Sequence, residues 1–525
     1  MTMSTIRTQQ ASPPWTDGRT FRYAVIAVFA IGILLRLSHY LGNRSLWLDE
    51  ARVALNVRDQ SLVELLYSLD YRVLAPYGFL SVEKLFTGLL GHTEYALRLF
   101  PLIAGVLTLF LFYRLSTRVS GKMPALIGLA LLSVSTWSIF YAAEAKQYSS
   151  DATIALLLYL LAHAALERWT PRRALVLALA GFVAVWFSHP SAFVLGAIGL
   201  AFGTRFLAQK DWFRVLQVAA MSVIWLASFL AILSITPAGD ADLLDHMQSV
   251  IWGEYFMPLP PRPGWLLNAF FDMLRHPAGF MFNGIAAFLF IMGVHAFWRN
   301  NRIWLALLVL PLLFALAASA LRMYPFTGRL LLFAAPALLL LIATGAESLR
   351  QPLWKTHRAA WLALVALLIL HPALGVARAT FAPAPYERED MKTVLQHVQQ
   401  QRRADDRFYV YYGAEEAFRF YAPRYDLAAA TTHFGKLPRS ISDYLDDALA
   451  PHNAGRVWVV FSHVADRIGV NERALLIYLL DTVGTRLDVR EAKGASVYLY
   501  DLPAEGIRAL RQELLHERQL AQEPN

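Results

Sequence analysis

The segment Ser45-Leu46-Trp47-Leu48-Asp49-Glu50-Ala51 sets two carboxylates side by side just beyond the first long apolar run of the chain. Acidic groups at a membrane boundary gain nothing from hydrocarbon. They either belong to a solvated loop or do chemistry, and proton abstraction is work that a positioned carboxylate can perform. A second polar group, Tyr141 to Asp151, contains Glu144, Lys146, Tyr148 and Asp151. Drawn as a helix, it puts Glu144, Tyr148 and Asp151 on one face; the other reading is a helix end whose polar side chains reach into the headgroups. A third group, Leu321 to Arg329, places Arg322 and Arg329 in a short connection between apolar runs. Their planar guanidinium forks suit a phosphate, although interfacial anchors need no such partner. His189, between Ser188 and Pro190, is a candidate proton donor or acceptor at the same surface, or a turn histidine in water. Arg36 and Arg98, at the outer ends of the first two runs, read mainly as snorkelling anchors.

The elements that must position these residues are membrane helices. In 525 residues, 57% are hydrophobic and only 17% charged, and the mean hydropathy is +0.41. That leaves too little polar surface to coat a soluble globule of this size. The apolar residues gather in runs near the roughly 20 residues that cross a bilayer. Eleven spans are expected, near 22–41, 96–113, 123–141, 152–166, 174–188, 190–207, 215–236, 278–298, 302–321, 329–346 and 359–377. The polar leader 1–21 is followed by a run without a small-residue cleavage site, so the first span reads as retained. Lys and Arg mark the cytoplasmic side, and an inside N-terminus puts Arg114, Arg118 and Lys122, Arg168, Arg172 and Arg173, and Arg350, Lys355 and Arg358 there. The outer connections around 143–151, 188–191 and 237–277 carry mixed or acidic charge, including Asp240, Asp242, Asp245 and Glu254, and the two larger outer segments are 42–95 and 237–277. The basic inner loops account for most of the net charge of +9, which is therefore no nucleic-acid footprint. With no cysteine, no disulfide framework supports the outer parts.

Within 42–95 the apolar spacing predicts short helices along the membrane surface. In 237–277, the stretch Met257-Pro258-Leu259-Pro260-Pro261-Arg262-Pro263-Gly264 cannot be a regular helix and reads as a mobile loop over a site. Beyond the last span, Ala382-Pro383-Ala384-Pro385 is a stiff linker into 379–525. There the period changes: 408–412, 457–461 and 496–500 are β-branched and aromatic runs, separated by helical stretches near 414–421 and 471–483, with a polar helix over 503–519. The expected architecture is a polytopic α-helical membrane protein of about 11 transmembrane helices, 22–378, with a C-terminal soluble α/β domain, 379–525.

Leu46-Trp47-Leu48-Asp49-Glu50-Ala51 after the first span, Glu94-Tyr95-Ala96-Leu97-Arg98-Leu99-Phe100-Pro101 opening the second, and the acidic-basic-tyrosine group after the third resemble the GT-C glycosyltransferase superfamily. The likeness is to its branch of protein O-mannosyltransferases and lipid A aminoarabinose transferases. Lys146 stands where that branch commonly has arginine, which keeps the charge and loses the fork. The resemblance implies an inverting transferase that moves a sugar from a polyprenyl-phosphate carrier to a hydroxyl of a glycan, lipid or protein. Asp49 would be its base, raised in pKa near the low-dielectric boundary, and Glu50 would orient it. Lys146, Tyr148, His189, Arg322 and Arg329 would face the carrier phosphate, and Glu144 or Asp151 could ligate a divalent cation. It further implies a bacterial inner membrane, with the C-terminal domain periplasmic or extracellular. The competing class is a transporter or flippase of lipid-linked sugars, which would keep its ionisable residues near the bilayer midplane.

Overall fold

The computed structural model describes residues 18–71, 73–235, 252–280, 282–350, 352–353, 357–381, 387–427, 431–437, 441–450, 454–465 and 469–522. The leader through residue 17, the acidic residues Asp240, Asp242 and Asp245, and the linker 382–385 lie outside the described residues. Two compact units emerge: Met1–Gly42, Gln60–Leu69 and Leu74–Pro385 form one, and Asn43–Asp59, Asp70–Val73 and Tyr386–Asn525 the other. This division sets the boundary at 385/386 where 378/379 is expected, and it differs in a second respect. The segment that carries Asp49 and Glu50 belongs to the unit built by the C-terminal region.

Among the described residues of the first unit, eight helices are long and apolar enough to cross a membrane: Arg19–Leu41, Glu94–Val119, Tyr148–Glu167, Ser191–Ala208, Trp212–Ile235, Arg302–Ala320, Gly328–Ser348 and Arg358–Thr380. The protein is an integral membrane protein. Of the other expected spans, 123–141 divides into Lys122–Ser133 and Thr136–Tyr141. The break falls where the Ser135 hydroxyl accepts from the Ser138 amide and starts a new helix. The spans at 174–188 and 278–298 become the helices Pro171–Phe187 and Asn283–Asn300. Over its apolar stretch Gly328–Ser348 is 83% buried, against 22% for Arg19–Leu41 and for Arg358–Thr380, so it forms the centre of the bundle and they form its rim. Close packing at the centre depends on two glycines. A Cβ on Gly293 would lie 1.9 Å from the Leu341 carbonyl oxygen, and one on Gly345 the same 1.9 Å from that of Leu289. Backbones meet directly there, as small residues permit between membrane helices.

Two arginines expected at the interface are inside. Arg36 is 0% exposed and Arg98 2%. Arg36 donates through NH1 to the Gly32 carbonyl at 2.9 Å and through NH2 to that of Leu132 at 3.1 Å, so it ties two helices together rather than snorkelling. Among the longer connections, 42–95 contains the helices Leu48–Asp59, Glu64–Tyr67 and Tyr77–Leu90, and the proline-rich stretch gives way to a helix Pro263–Arg275 that uses proline in its first turn.

The second unit holds a five-stranded sheet, β1 Arg407–Val410, β2 Thr431–Phe434, β3 Gly455–Ser462, β4 Thr485–Ala492 and β5 Ala495–Leu502, in the order β2-β1-β3-β5-β4. β1 is parallel to β2 and β3, while β5 runs antiparallel to β3 and β4. β3 is buried from Val457 to Ser462, as a strand covered on both faces must be. β4, at the edge, is largely exposed and carries Arg486, Asp488, Arg490 and Glu491, charges that discourage pairing with another chain. At the carboxyl end of β1, the hydroxyls of Tyr411 and Tyr412 both donate to Oε2 of Glu472, at 2.6 and 2.9 Å. Burial, reinforced by the Glu472 bond, holds the Tyr411 phenol far above its ordinary range, so it remains a donor.

Candidate functional site

Asp49 and Glu50 occupy the first turn of the helix Leu48–Asp59. The strand-like approach to it is fixed by the C-terminal domain. Ser45 donates from its amide to Glu387 and from its hydroxyl to Asp390, each at 3.1 Å; the Leu46 amide donates to the Tyr421 hydroxyl at 2.8 Å; and the Leu48 amide donates to Glu389 Oε2 at 3.1 Å. Trp47 lies beneath the Arg388 guanidinium, 4.3 Å from its ring centre. Glu50 is fully buried and sits 3.6 Å from Arg44, itself 4% exposed. Asp49 is half-buried. The two adjacent carboxylates thus differ: Glu50 is locked against an arginine, and Asp49 is the one solvent or a substrate can reach.

The other predicted residues belong to the membrane unit. The face proposed for Glu144, Tyr148 and Asp151 does not form, because residues 142–147 are turns and bends and the helix begins only at Tyr148. Glu144 is instead held in a tight reverse, its carbonyl accepting from the Lys146 amide at 2.7 Å. Glu144, Lys146, Tyr148 and Asp151 are all buried, at 0, 4, 4 and 5% exposure. Arg329 is drawn to this group: its guanidinium lies 5.7 Å from the ring centres of both Tyr148 and Trp252, a cation over two aromatic faces. Arg322 is not. It is exposed, in a left-handed conformation with φ 57°, in the turn that follows Arg302–Ala320.

His189 lies in the turn between Pro171–Phe187 and Ser191–Ala208, where its neighbour Ser188 is against the Asp151 carboxyl. Its ring keeps some exposed edge, yet enough protein surrounds it that desolvation lowers its pKa to about 4. The imidazole is neutral at ordinary pH, so it contributes a hydrogen bond rather than a charge.

Residues that the sequence did not single out complete the cluster. Tyr324 donates to the Leu330 carbonyl at 2.6 Å. Burial, with Asp151 and Tyr148 nearby, keeps its phenol well above the usual range and protonated. The Tyr141 ring packs 5.1 Å from that of Tyr148, and its hydroxyl is 3.4 Å from Nε2 of His276. Tyr324, between the two arginines, and Tyr141, at the head of the second polar group, had a signal; His276 and Trp252 are far off in the chain. For a divalent cation, Asp151 Oδ1 is a suitable donor, buried and with no hydrogen-bond partner among the described residues. Among those residues, however, no group of three or more His, Cys, Asp or Glu is gathered to hold a metal ion.

The chain, a membrane bundle joined in sequence to an α/β domain, shares the overall fold of solved GT-C membrane proteins. It is similar over 92% of its length to the crystal structure of ArnT from Cupriavidus metallidurans bound to undecaprenyl phosphate, covering 98% of that chain with a TM-score of 0.55 and 14% identity. The apo state of the same protein matches with a TM-score of 0.52 and 13% identity, over 91% of this chain and 98% of that one. The oligosaccharyltransferase of Archaeoglobus fulgidus, in complex with Zn and sulfate, gives a TM-score of 0.50 at 11% identity over 91% of this chain and 73% of that one. No family model and no curated protein matches the chain.

Proposed function

We propose that this protein is an inverting glycosyltransferase that moves a sugar from a polyprenyl-phosphate carrier to a hydroxyl acceptor on the outer face of a bacterial inner membrane. The observation that carries the reading is the fold shared over 92% of the chain with a protein that binds undecaprenyl phosphate. The basic inner loops support a cytoplasmic N-terminus and an external C-terminal domain.

In the reaction, Asp49 takes the acceptor proton as the acceptor oxygen bonds to the anomeric carbon. The bond from that carbon to the carrier phosphate breaks on the opposite face, and the polyprenyl phosphate leaves with its electron pair. A general base is worth typically 10²–10⁴-fold in rate. Asp49 has the accessibility for this and Glu50, held by Arg44, the rigidity to keep the helix start in place. Arg329 and Lys146 stabilise the charge that develops on the departing phosphate, Tyr148 and His189 position it, and Arg322 makes the outermost contact.

Purified protein is given radiolabelled polyprenyl-phosphate sugars and a membrane extract, alongside Asp49→Asn. The expected result is labelled product from wild type, a loss of roughly 10²–10⁴-fold in the variant, and carrier binding retained in both. Equal transfer by the variant would end the assignment of Asp49. Carrier bound yet never consumed by wild type would favour a flippase.

A further inference from the structure

The second unit contains a cavity of about 430 Å³ at the carboxyl end of β3, lined by polar groups that the reaction above does not use. Arg388 and Glu389 come from the stretch before the helix Met391–Gln401, His463 follows β3, Asn471 and Arg473 open the helix Glu472–Val483, and Ser496 lies at the start of β5. A few hundred cubic ångströms is the size of a small-molecule site, enough for one sugar ring with a charged substituent.

Its charge balance favours an anion. Glu389 is the acidic member of the lining, and its oxygens are committed: Oε2 accepts from the Leu48 amide and the Ser462 hydroxyl, at 3.1 and 3.0 Å, and Oε1 pairs with Nδ1 of His463 at 2.7 Å. An ionised carboxylate only accepts, so Nδ1 carries the proton, and Nε2 of the neutral ring is left to accept from a ligand hydroxyl. Arg473 is loosely held, 3.5 Å from Ser496 Oγ and 4.0 Å from Glu491, whose side chain is 61% exposed. Two guanidiniums against one spent carboxylate, with a hydroxyl and an amide alongside, match the oxygens of a phosphate or carboxylate.

The cavity also has a physical link to the reacting end of the chain. Trp47 touches two of its walls, 4.3 Å from the Arg388 guanidinium and 6.3 Å ring to ring from His463. Two residues on from Trp47 is Asp49. We propose that this cavity anchors the acceptor by an oxyanion, so that the acceptor is an anionic glycan or glycolipid bearing phosphate or carboxylate. The acceptor role rests on the transferase reading; the binding of an oxyanion does not.

Full-length protein in detergent is titrated calorimetrically with glucose 6-phosphate, glucuronate and glucose. At least one anionic sugar is expected to bind at least tenfold more tightly than glucose, and which one binds separates phosphate from carboxylate. Arg473→Gln is expected to weaken that binding tenfold or more, while Arg473→Lys, which keeps the charge, retains part of it; unchanged thermal unfolding of both variants establishes that they are folded. No preference for either anion over glucose, or equal binding by wild type and both variants, overturns the proposal. Transfer of labelled sugar by wild type in that event would leave the transferase reading standing alone. Anion binding that Arg473→Gln abolishes, in a wild type that transfers nothing, would sustain the anion site and remove its acceptor role.

Discussion

The Leu48 backbone amide donates to Glu389 Oε2 at 3.1 Å, a bond between residues 341 apart in the chain. Glu389 thereby places a carboxylate at the amino end of the helix whose first turn holds Asp49, satisfying a donor that no residue of that helix can reach. Glu389→Ala is expected to cost about 1.5–3 kcal/mol, the worth of a hydrogen bond to a charged group, and to lower transfer by loosening Asp49. Thermal unfolding and amide exchange at Leu48 measure the two effects; rapid turnover with an unprotected Leu48 amide would contradict the link.

Arg44 and Glu50 lie 3.6 Å apart, at 4% and 0% exposure. Removing one member of a buried pair strands the other, at about 3–5 kcal/mol. Glu50→Ala should therefore destabilise the protein strongly, whereas Arg44→Met with Glu50→Leu should restore much of the loss. Asp49→Asn, at a half-buried position, is expected to leave the melting temperature nearly unchanged. A melting series over the three variants decides this.

The two arginines of the third polar group are predicted to be unequal. Arg329 sits over Tyr148 and Trp252, while Arg322 is exposed. Arg329→Ala should weaken carrier binding roughly 10- to 100-fold, the range for losing a charge-assisted contact, and Arg322→Ala by only a few-fold. Binding of labelled polyprenyl phosphate measures both, and equal effects would place the phosphate at the outer turn.

His189 makes stability depend on pH. Its folded pKa is lowered to about 4 from the usual 6.5, so the unfolded chain binds the extra proton and stability rises with pH across that window. The contribution is fully present above pH 6.5 and lost as pH falls towards 4, at most about 3 kcal/mol for a ring that keeps some exposure. In His189→Gln the slope between pH 4 and 6.5 should flatten; an unaltered slope would assign it elsewhere.

At the helix crossing, Gly345→Val and Gly293→Val are each expected to abolish folding, since even a Cβ would fall 1.9 Å from a carbonyl oxygen of the facing helix. Detergent-resistant monodisperse protein from either variant would show that the helices can separate without loss.

Much of this architecture is legible in the chain because it is set by local quantities. Runs such as 215–236 and 302–321 declare themselves by length, and Val457 to Phe461 by the unbroken apolar run of a strand buried on both faces. β4 escapes notice because Arg486, Asp488, Arg490 and Glu491 interrupt it, as an edge strand allows. The end of a helix at Val134 turns on one serine hydroxyl, Ser135, which hydropathy ignores. In the candidate site, residue type and spacing single out Asp49, Glu50, Arg322 and Arg329 as candidates. They could not separate Asp49 from Glu50, since the difference lies in Arg44, nor Arg329 from Arg322, since it lies in Trp252 and Tyr148. The company Asp49 keeps was least readable of all, because Glu389, Asp390 and Tyr421 are more than 300 positions away.

That distance sets a clock on biosynthesis. Ribosomes add roughly 5–20 residues per second, so about 20 to 70 s separate the emergence of Leu48 from that of the carboxylate that receives its amide. Throughout that interval the membrane helices can insert one after another while the Asn43–Asp59 segment lacks its C-terminal partners Glu389, Asp390 and Tyr421. The helix start at Leu48 is thus without its carboxylate partner until the chain has passed Glu389, and a chain truncated before Glu389 would carry the membrane helices without the group that receives the Leu48 amide.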